Sequence, residues 1–191
     1  MRVGIIGATG WLGSALGRRL LSRKLIAPEQ LVVLGCGSHR FEYYGYAGVT
    51  PAIDIPDLVF RSDVVVLAVR PDAWPRLTPR AEGKLVLSFM AGVSARMLAR
   101  HGGRIARAMP NAAAEFGASL TPWWAADTIT SGDRAVIPWL LSAIGASEEI
   151  ADETGLDPVT EPDRPVGAAD QPASANRVGR PRLVRAVSAA S

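Results

Sequence analysis

The stretch "VGIIGATGWLGSALG", Val3 to Gly17, constrains this chain more than any other. Small apolar residues run into glycines at 7, 10 and 13, and Leu12, Leu16 and Leu20 then recur at i, i+4 on one helical face. A strand, a glycine turn and a helix in direct succession open an alternating β/α chain. The alternation continues, with "LVVLG" (31–35), "DVVVLAV" (63–69), "KLVLSF" (84–89) and "RIARAM" (104–109) reading as strands. The run at 63–69 is apolar almost throughout, as in a central parallel strand buried on both faces. Between the last two strands, "SARMLARHGG" reads as a helix with Ser94 as N-cap and Gly102 as stop. The expected fold is α/β, an open and mostly parallel sheet with helices on both faces.

Beyond Asn111, "ASLTPWW" reads as a further strand and "RAVIPWLLSAIG" as a helix near the sheet edge. Pro138 is expected in that helix's first turn or at a kink. After Thr160 the chain has no aromatic residue and no sustained period, and Ala, Pro, Arg and Ser dominate it. The expected division is a domain over 1–160 and a poorly ordered tail over 161–191.

Composition removes several classes of function. With 48% hydrophobic residues, 191 residues suffice for a packed core. Cys36 is the single cysteine, which excludes an intramolecular disulfide and a cysteine metal cluster, and His39 and His101 lack zinc-ligand spacing. The net charge of +3 comes without a dense Lys/Arg stripe, so no nucleic-acid partner is expected. No run approaches the roughly 20 apolar residues of a membrane span. The glycines at 7, 10 and 13 also interrupt any signal-peptide core. A cytoplasmic protein without membrane contact is the expectation.

Each glycine of the first turn has a physical task in this setting. Gly7 permits the sharp exit from the strand, Gly10 lets backbone approach a pyrophosphate, and Gly13 lets the helix lie close to the sheet. The helix N-terminus then offers unpaired N–H groups and partial positive charge to phosphates. The spacing is Gly-x-x-Gly-x-x-Gly, one residue longer than the commoner dinucleotide turn. An NAD site usually carries an acid at the end of the second strand, about 20 residues beyond the glycines. Here that strand ends "LGCGSHR", and Ser38, His39 and Arg40 instead suit a 2′-phosphate. NADP(H) is therefore the expected cofactor, ahead of NAD(H).

Four motifs in order, the glycines with "VVVLAVRPD" (64–72), "LVLSFMAGVS" (85–94) and "RIARAMPNAAAEFGASLT" (104–121), make residues 1–160 resemble pyrroline-5-carboxylate reductases. "IGASEEIADETGLDPVT" (144–160) is similar to the stretch that ends that family's cofactor domain. The resemblance implies a Rossmann-type doubly wound sheet and hydride transfer from NADPH to a cyclic imine, giving proline. It implies that backbone around Thr9, Gly10, Trp11, Leu12 and Gly13 holds the pyrophosphate. It also implies that Ala68, Val69, Arg70 and Pro71 lead to the nicotinamide ribose, that Ala91 and Gly92 lie beside the ring, and that Pro110 and Asn111 sit near it. The sequence departs from the family pattern at Arg70, in place of lysine, and at Ala112 and Ala113, in place of Thr-Pro. The motif that opens the family's helical second domain does not follow Thr160, as a frameshift or early truncation would produce.

Other residues have a plain structural reading beside a functional one. Asp63 reads as the cap of a buried strand. Arg104 and Arg107 read as solvated or salt-bridged, or alternatively as binders of a substrate carboxylate, Arg107 the more so for lying close to Met109–Pro110–Asn111. Trp123 and Trp124 read as edge packing, or as an apolar patch that promotes self-association. Cys36 would line the adenosine site, and His101 would end a helix. Three functions stay open: a reductase of the pyrroline-5-carboxylate type, an NADP(H)-binding module without turnover, and a related reductase of other small imines or deazaflavin cofactors. No catalytic acid, base or nucleophile stands out.

Overall fold

In the computed structural model, which describes residues 1–35, 42–77 and 79–157, the apolar runs are strands whose side chains alternate between two cores. In β1 (Val3–Ile6), β2 (Leu31–Leu34), β4 (Val64–Leu67) and β5 (Leu85–Ser88), the residues Val3, Ile5, Val33, Val66 and Leu87 enter one core. Ile6, Val32, Val65, Leu67 and Val86 enter the other. Both faces are buried, so the period of two typical of a strand vanishes from the sequence and leaves an unbroken apolar run. The first core is covered by α1 (Trp11–Ser22), through Leu16 and Leu20, and by α4 (Ser131–Leu141), through Ile137 and Leu140. The second is covered by α2 (Ile55–Arg61), through Leu58 and Val59, and by α3 (Ala95–Leu98), through Leu98.

The remaining strands are β3 (Thr50–Pro51), β6 (Arg104–Ala108), β7 (Ser119–Ala125) and β8 (Gly145–Glu149). The sheet order is β3-β2-β1-β4-β5-β6-β7-β8, parallel throughout except for the antiparallel β6–β7 pair. Succession from β1 runs outward through β2 to β3 and then returns across to β4, so the strand order reverses beside β1. The crevice at the carboxyl ends of β1 and β4 is where open α/β sheets take their ligands. This is the doubly wound, Rossmann-type sheet that the sequence predicts. The described residues all fall in one unit, Met1–Pro158. Cys36, Ser38, His39 and Arg40 lie outside the described residues, as does the expected tail over 161–191. No described helix is long and apolar enough to cross a membrane.

Several local expectations meet their structural reasons here. Asp63 anchors the start of the sheet by accepting the Arg2 backbone N–H at 2.7 Å. Ser94 caps α3, and Gly102, at φ +74°, ends the turn that closes with His101. Gly4 is small for a packing reason: a Cβ there would lie 2.2 Å from Ser62 Oγ, so α2 rests directly on β1. Pro138, by contrast, sits in the interior of α4 rather than in its first turn. A reciprocal cap between Thr130 and Asp133 starts the helix upstream of Arg134, which places the proline two turns in. Trp123 is buried and Trp124 packs partly buried against the second core, so this pair belongs to the sheet's edge packing.

Asp133 also ties α4 to the sheet. Arg104 donates to it from two nitrogens, at 2.6 and 2.9 Å. The Arg104 hydrogen bond, offset in part by burial and helped by Thr130, holds the Asp133 carboxyl down at about 2. A carboxyl lowered on folding stabilises the fold above its unfolded value of 3.8 and loses that contribution as pH falls toward about 2. Asp133→Asn is expected to cost about 1–2 kcal/mol at neutral pH. In urea titrations, the gap between wild type and variant should close over that acid window. A gap that stays constant down to pH 2 would refute this assignment.

Candidate functional site

The site begins where β1 leaves the sheet. Gly7 takes φ +88°, and a Cβ on it would meet the Ala68 carbonyl oxygen at 2.6 Å. A Cβ on Gly13 would fall 2.2 Å from the Gly7 carbonyl oxygen, so α1 lies against the turn at backbone distance. Gly10 is less constrained, with the Gly7 oxygen 3.2 Å from its would-be Cβ. The turn is pulled toward β2 by the Gly7 and Ala8 N–H groups, which both donate to the Leu34 carbonyl at 2.8 and 3.0 Å. Gly10 is also the N-cap of α1. It brings no side-chain cap, and the first turn holds no acidic residue. The N–H groups of Trp11, Leu12 and Gly13 thus lack both intrahelical acceptors and a capping side chain, at the positive end of the helix dipole.

A residue that sequence reasoning passed over braces this turn from below. Tyr43 is buried, and its hydroxyl donates to the Ala8 carbonyl at 3.1 Å and reaches the Gly13 carbonyl at 3.4 Å. Burial, reinforced by the neighbouring Tyr44, pushes its phenol above the ordinary tyrosine value, so it serves as a neutral donor. Gly17 makes room for it, since a Cβ there would lie 2.2 Å from the Tyr43 oxygen. A tyrosine 30 residues from its partner in the chain leaves no local pattern by which to find it.

The turn opens onto a cavity of about 920 Å³. Gly7, Thr9, Gly10, Trp11 and Leu12 line it from the turn, Ala68, Val69, Arg70 and Pro71 from the end of β4, and Ala91 from the loop after β5. Ile6, Leu34, Gly35, Asp72, Ala73, Phe89 and Met109 complete the wall, none of which the sequence had singled out. Gly13 lies under the turn instead of in the lining. Gly92, Pro110 and Asn111 are also outside it. Met109 occupies the wall after β6, whereas the Asn111 side chain accepts the Ala113 N–H at 3.0 Å and caps the short turn Ala112–Phe116. The lining is predominantly apolar. Its ionisable members, Arg70 and Asp72, are exposed and face each other at 3.4 Å. Such a space suits a flat apolar group at one end and an anion at the α1 N-terminus. No group of three or more metal-ligating side chains is found among the described residues.

Arg107 takes the salt-bridged reading, not that of a carboxylate binder. Its side chain is 1% exposed and forms ion pairs at 2.8 Å with both Glu153 and Asp157. The Arg107 hydrogen bond, against a smaller opposing effect of burial, holds the Asp157 carboxyl below the usual carboxylate range. The cavity wall therefore has no guanidinium from this position to offer a ligand. The carboxylates that neutralise Arg107 lie 46 and 50 residues away in the chain, which is why local sequence left the choice open.

The fold is shared with known proteins. The family model described as "NADP oxidoreductase coenzyme F420-dependent" matches residues 2–92. A pyrroline-5-carboxylate reductase of Synechocystis sp. is 31% identical over 169 residues, covering 84% of this chain and 62% of that protein. Among solved structures, the pyrroline-5-carboxylate reductase of Coxiella burnetii superposes with a TM-score of 0.73 at 22% identity, over 81% of this chain and 60% of the other. The Plasmodium falciparum pyrroline carboxylate reductase, solved with NADP bound, gives 0.68 at 22% identity, over 78% and 57%. The chain spans less than two thirds of the length of each of these relatives.

Proposed function

We propose that this chain is a member of the pyrroline-5-carboxylate reductase family, that it binds NADP(H) in the cavity beside Gly7–Gly13, and that it serves hydride transfer to a small cyclic imine. The observation that carries the reading is the uncapped, acid-free N-terminus of α1, opening on an apolar cavity at the point where the strand order reverses. The amides of Trp11, Leu12 and Gly13 would hold the pyrophosphate, with Gly7 and Gly10 letting it approach backbone. Ala68, Val69, Arg70, Pro71 and Ala91 would guide the nicotinamide end. Ser38, His39 and Arg40 would take the 2′-phosphate, as their chemistry and position after β2 favour. The Plasmodium relative solved with NADP supports the same cofactor here.

When bound, the reduced nicotinamide supplies a hydride, which an iminium accepts at carbon while its C=N electron pair moves to nitrogen. The chain's own contribution is orientation and exclusion of water by a largely apolar wall. An iminium already carries its proton, so the reaction needs no general acid from the lining. A second reading is a nucleotide-binding module without turnover. It is favoured by the described lining, whose ionisable side chains, Arg70 and Asp72, are exposed and pair with each other. Purified chain mixed with NADPH and pyrroline-5-carboxylate decides between them. NADPH oxidation that depends on the imine is the expected result. Tight NADPH binding with no oxidation favours the module, and absence of binding sinks both.

A further inference from the structure

The loop that carries Ala91 into the cavity is exposed at Ala91 and Gly92, and a Cβ placed on Gly92 would meet nothing within 4 Å. Packing does not fix the tip of this loop; hydrogen bonds do. Gly92, at φ +70°, donates its N–H to Asp157 Oδ1 at 2.9 Å. Three residues on, Ala95 donates its N–H to Glu153 Oε1 at 2.6 Å. The same two oxygens accept from Arg107, at 2.8 Å each, and Arg107 also donates to the Met90 carbonyl at 3.3 Å. One buried guanidinium and two carboxylates from the turn Glu153–Leu156 and its end thus hold three points of the loop's backbone. A carboxylate hydrogen-bonded to backbone N–H is a strong, directional restraint, and the paired arginine holds both carboxylates in place.

We propose that Arg107 and Asp157 are positioning residues for the nicotinamide end of the cofactor, setting where Ala91 stands against the ring. The proposal rests on the NADP(H) reading of the cavity and adds to it how that wall is placed. Neither side chain lines the cavity, so each acts through the loop. The consequence is selective. A loosened loop weakens contacts to the ring, while the pyrophosphate turn, built from β1, β2, β4 and α1, keeps its own restraints.

The test is a binding comparison on the full chain with two ligands: NADPH, and 2′-phospho-ADP-ribose, which lacks the nicotinamide. Asp157→Asn preserves size and an acceptor but removes the charge facing Arg107, and Arg107→Lys preserves the buried charge but loses the fork. Both should raise the Kd for NADPH about tenfold and leave that for 2′-phospho-ADP-ribose within about twofold. Hydrogen exchange at the Gly92 amide should quicken in the same variants, with the thermal midpoint recorded alongside. Equal weakening of both ligands would mean a general structural role, and unchanged affinities would mean no role in binding; either overturns the proposal alone. A wild-type chain that binds neither ligand overturns the cofactor reading as well, which keeps the two failures distinct.

Discussion

Gly13→Ala is expected to lose at least about a hundredfold in NADPH affinity and about 2–3 kcal/mol of stability. The added methyl would stand 2.2 Å from the Gly7 carbonyl oxygen and 2.9 Å from its carbon, both backbone atoms in a turn already at φ +88°. Nothing there is the flexible end of a side chain, so relief requires α1 to move away from β1. That movement displaces the N–H groups proposed to hold the pyrophosphate, linking the loss of stability to the loss of affinity. Gly10→Ala provides the contrast. Its methyl would meet the Gly7 oxygen at 3.2 Å, a contact the turn can absorb by a few tenths of an ångström. Its thermal midpoint should stay near wild type, while any loss of affinity reflects crowding of the ligand. Fluorescence titration with NADPH and thermal unfolding of both variants check the pair. Equal destabilisation by the two substitutions would contradict this account of the turn.

Arg107→Ala should be the most destabilising single change among the charged residues, by about 3–5 kcal/mol. It leaves Glu153 and Asp157 without their cation and empties a site in which the side chain is 1% exposed. Removing one partner of a buried pair costs far more than the pair contributes over an apolar replacement, because the carboxylates are left uncompensated. Arg107→Met fills most of the volume and isolates the electrostatic part, so it should recover some of the loss. Protonating Asp157 should recover more. The Asp157 carboxyl is held low by Arg107, and without that partner its affinity for a proton rises. The penalty of Arg107→Ala relative to wild type should therefore shrink as pH falls below the normal carboxylate range. Urea denaturation across pH measures this, and a penalty independent of pH would assign the effect to packing alone.

Particular residues show why some of this protein was legible in advance. The β1–turn–α1 unit could be read directly because its signals are local: apolar residues, glycines at 7, 10 and 13, and leucines four apart. The central strands announced themselves as continuous apolar runs because two helical layers bury both of their faces. The short strand Thr50–Pro51 and the edge strand Gly145–Glu149 gave no such signal. The first has two residues, and the second, "GASEE", lies largely in solvent, where no apolar pattern is required. The start of α4 was misplaced because the apolar pattern begins after the cap, whereas the Thr130–Asp133 reciprocal bond sets the boundary.

The sequence by itself determined the alternation of elements, the backbone chemistry of the first turn, and the family motifs on residues after β4, β5 and β6. These follow from spacing along the chain, which local sterics and helix periodicity translate directly into structure. Tertiary structure alone decided the rest of the wall, with Phe89 and Met109 in the cavity. It also decided the brace under the turn by Tyr43, and the fate of Arg107. For Tyr43 and Arg107 the deciding partner lies 30 or more residues away in the chain. A side chain's charge or ring is written in the sequence, but what neutralises it or packs on it is set only when the sheet assembles.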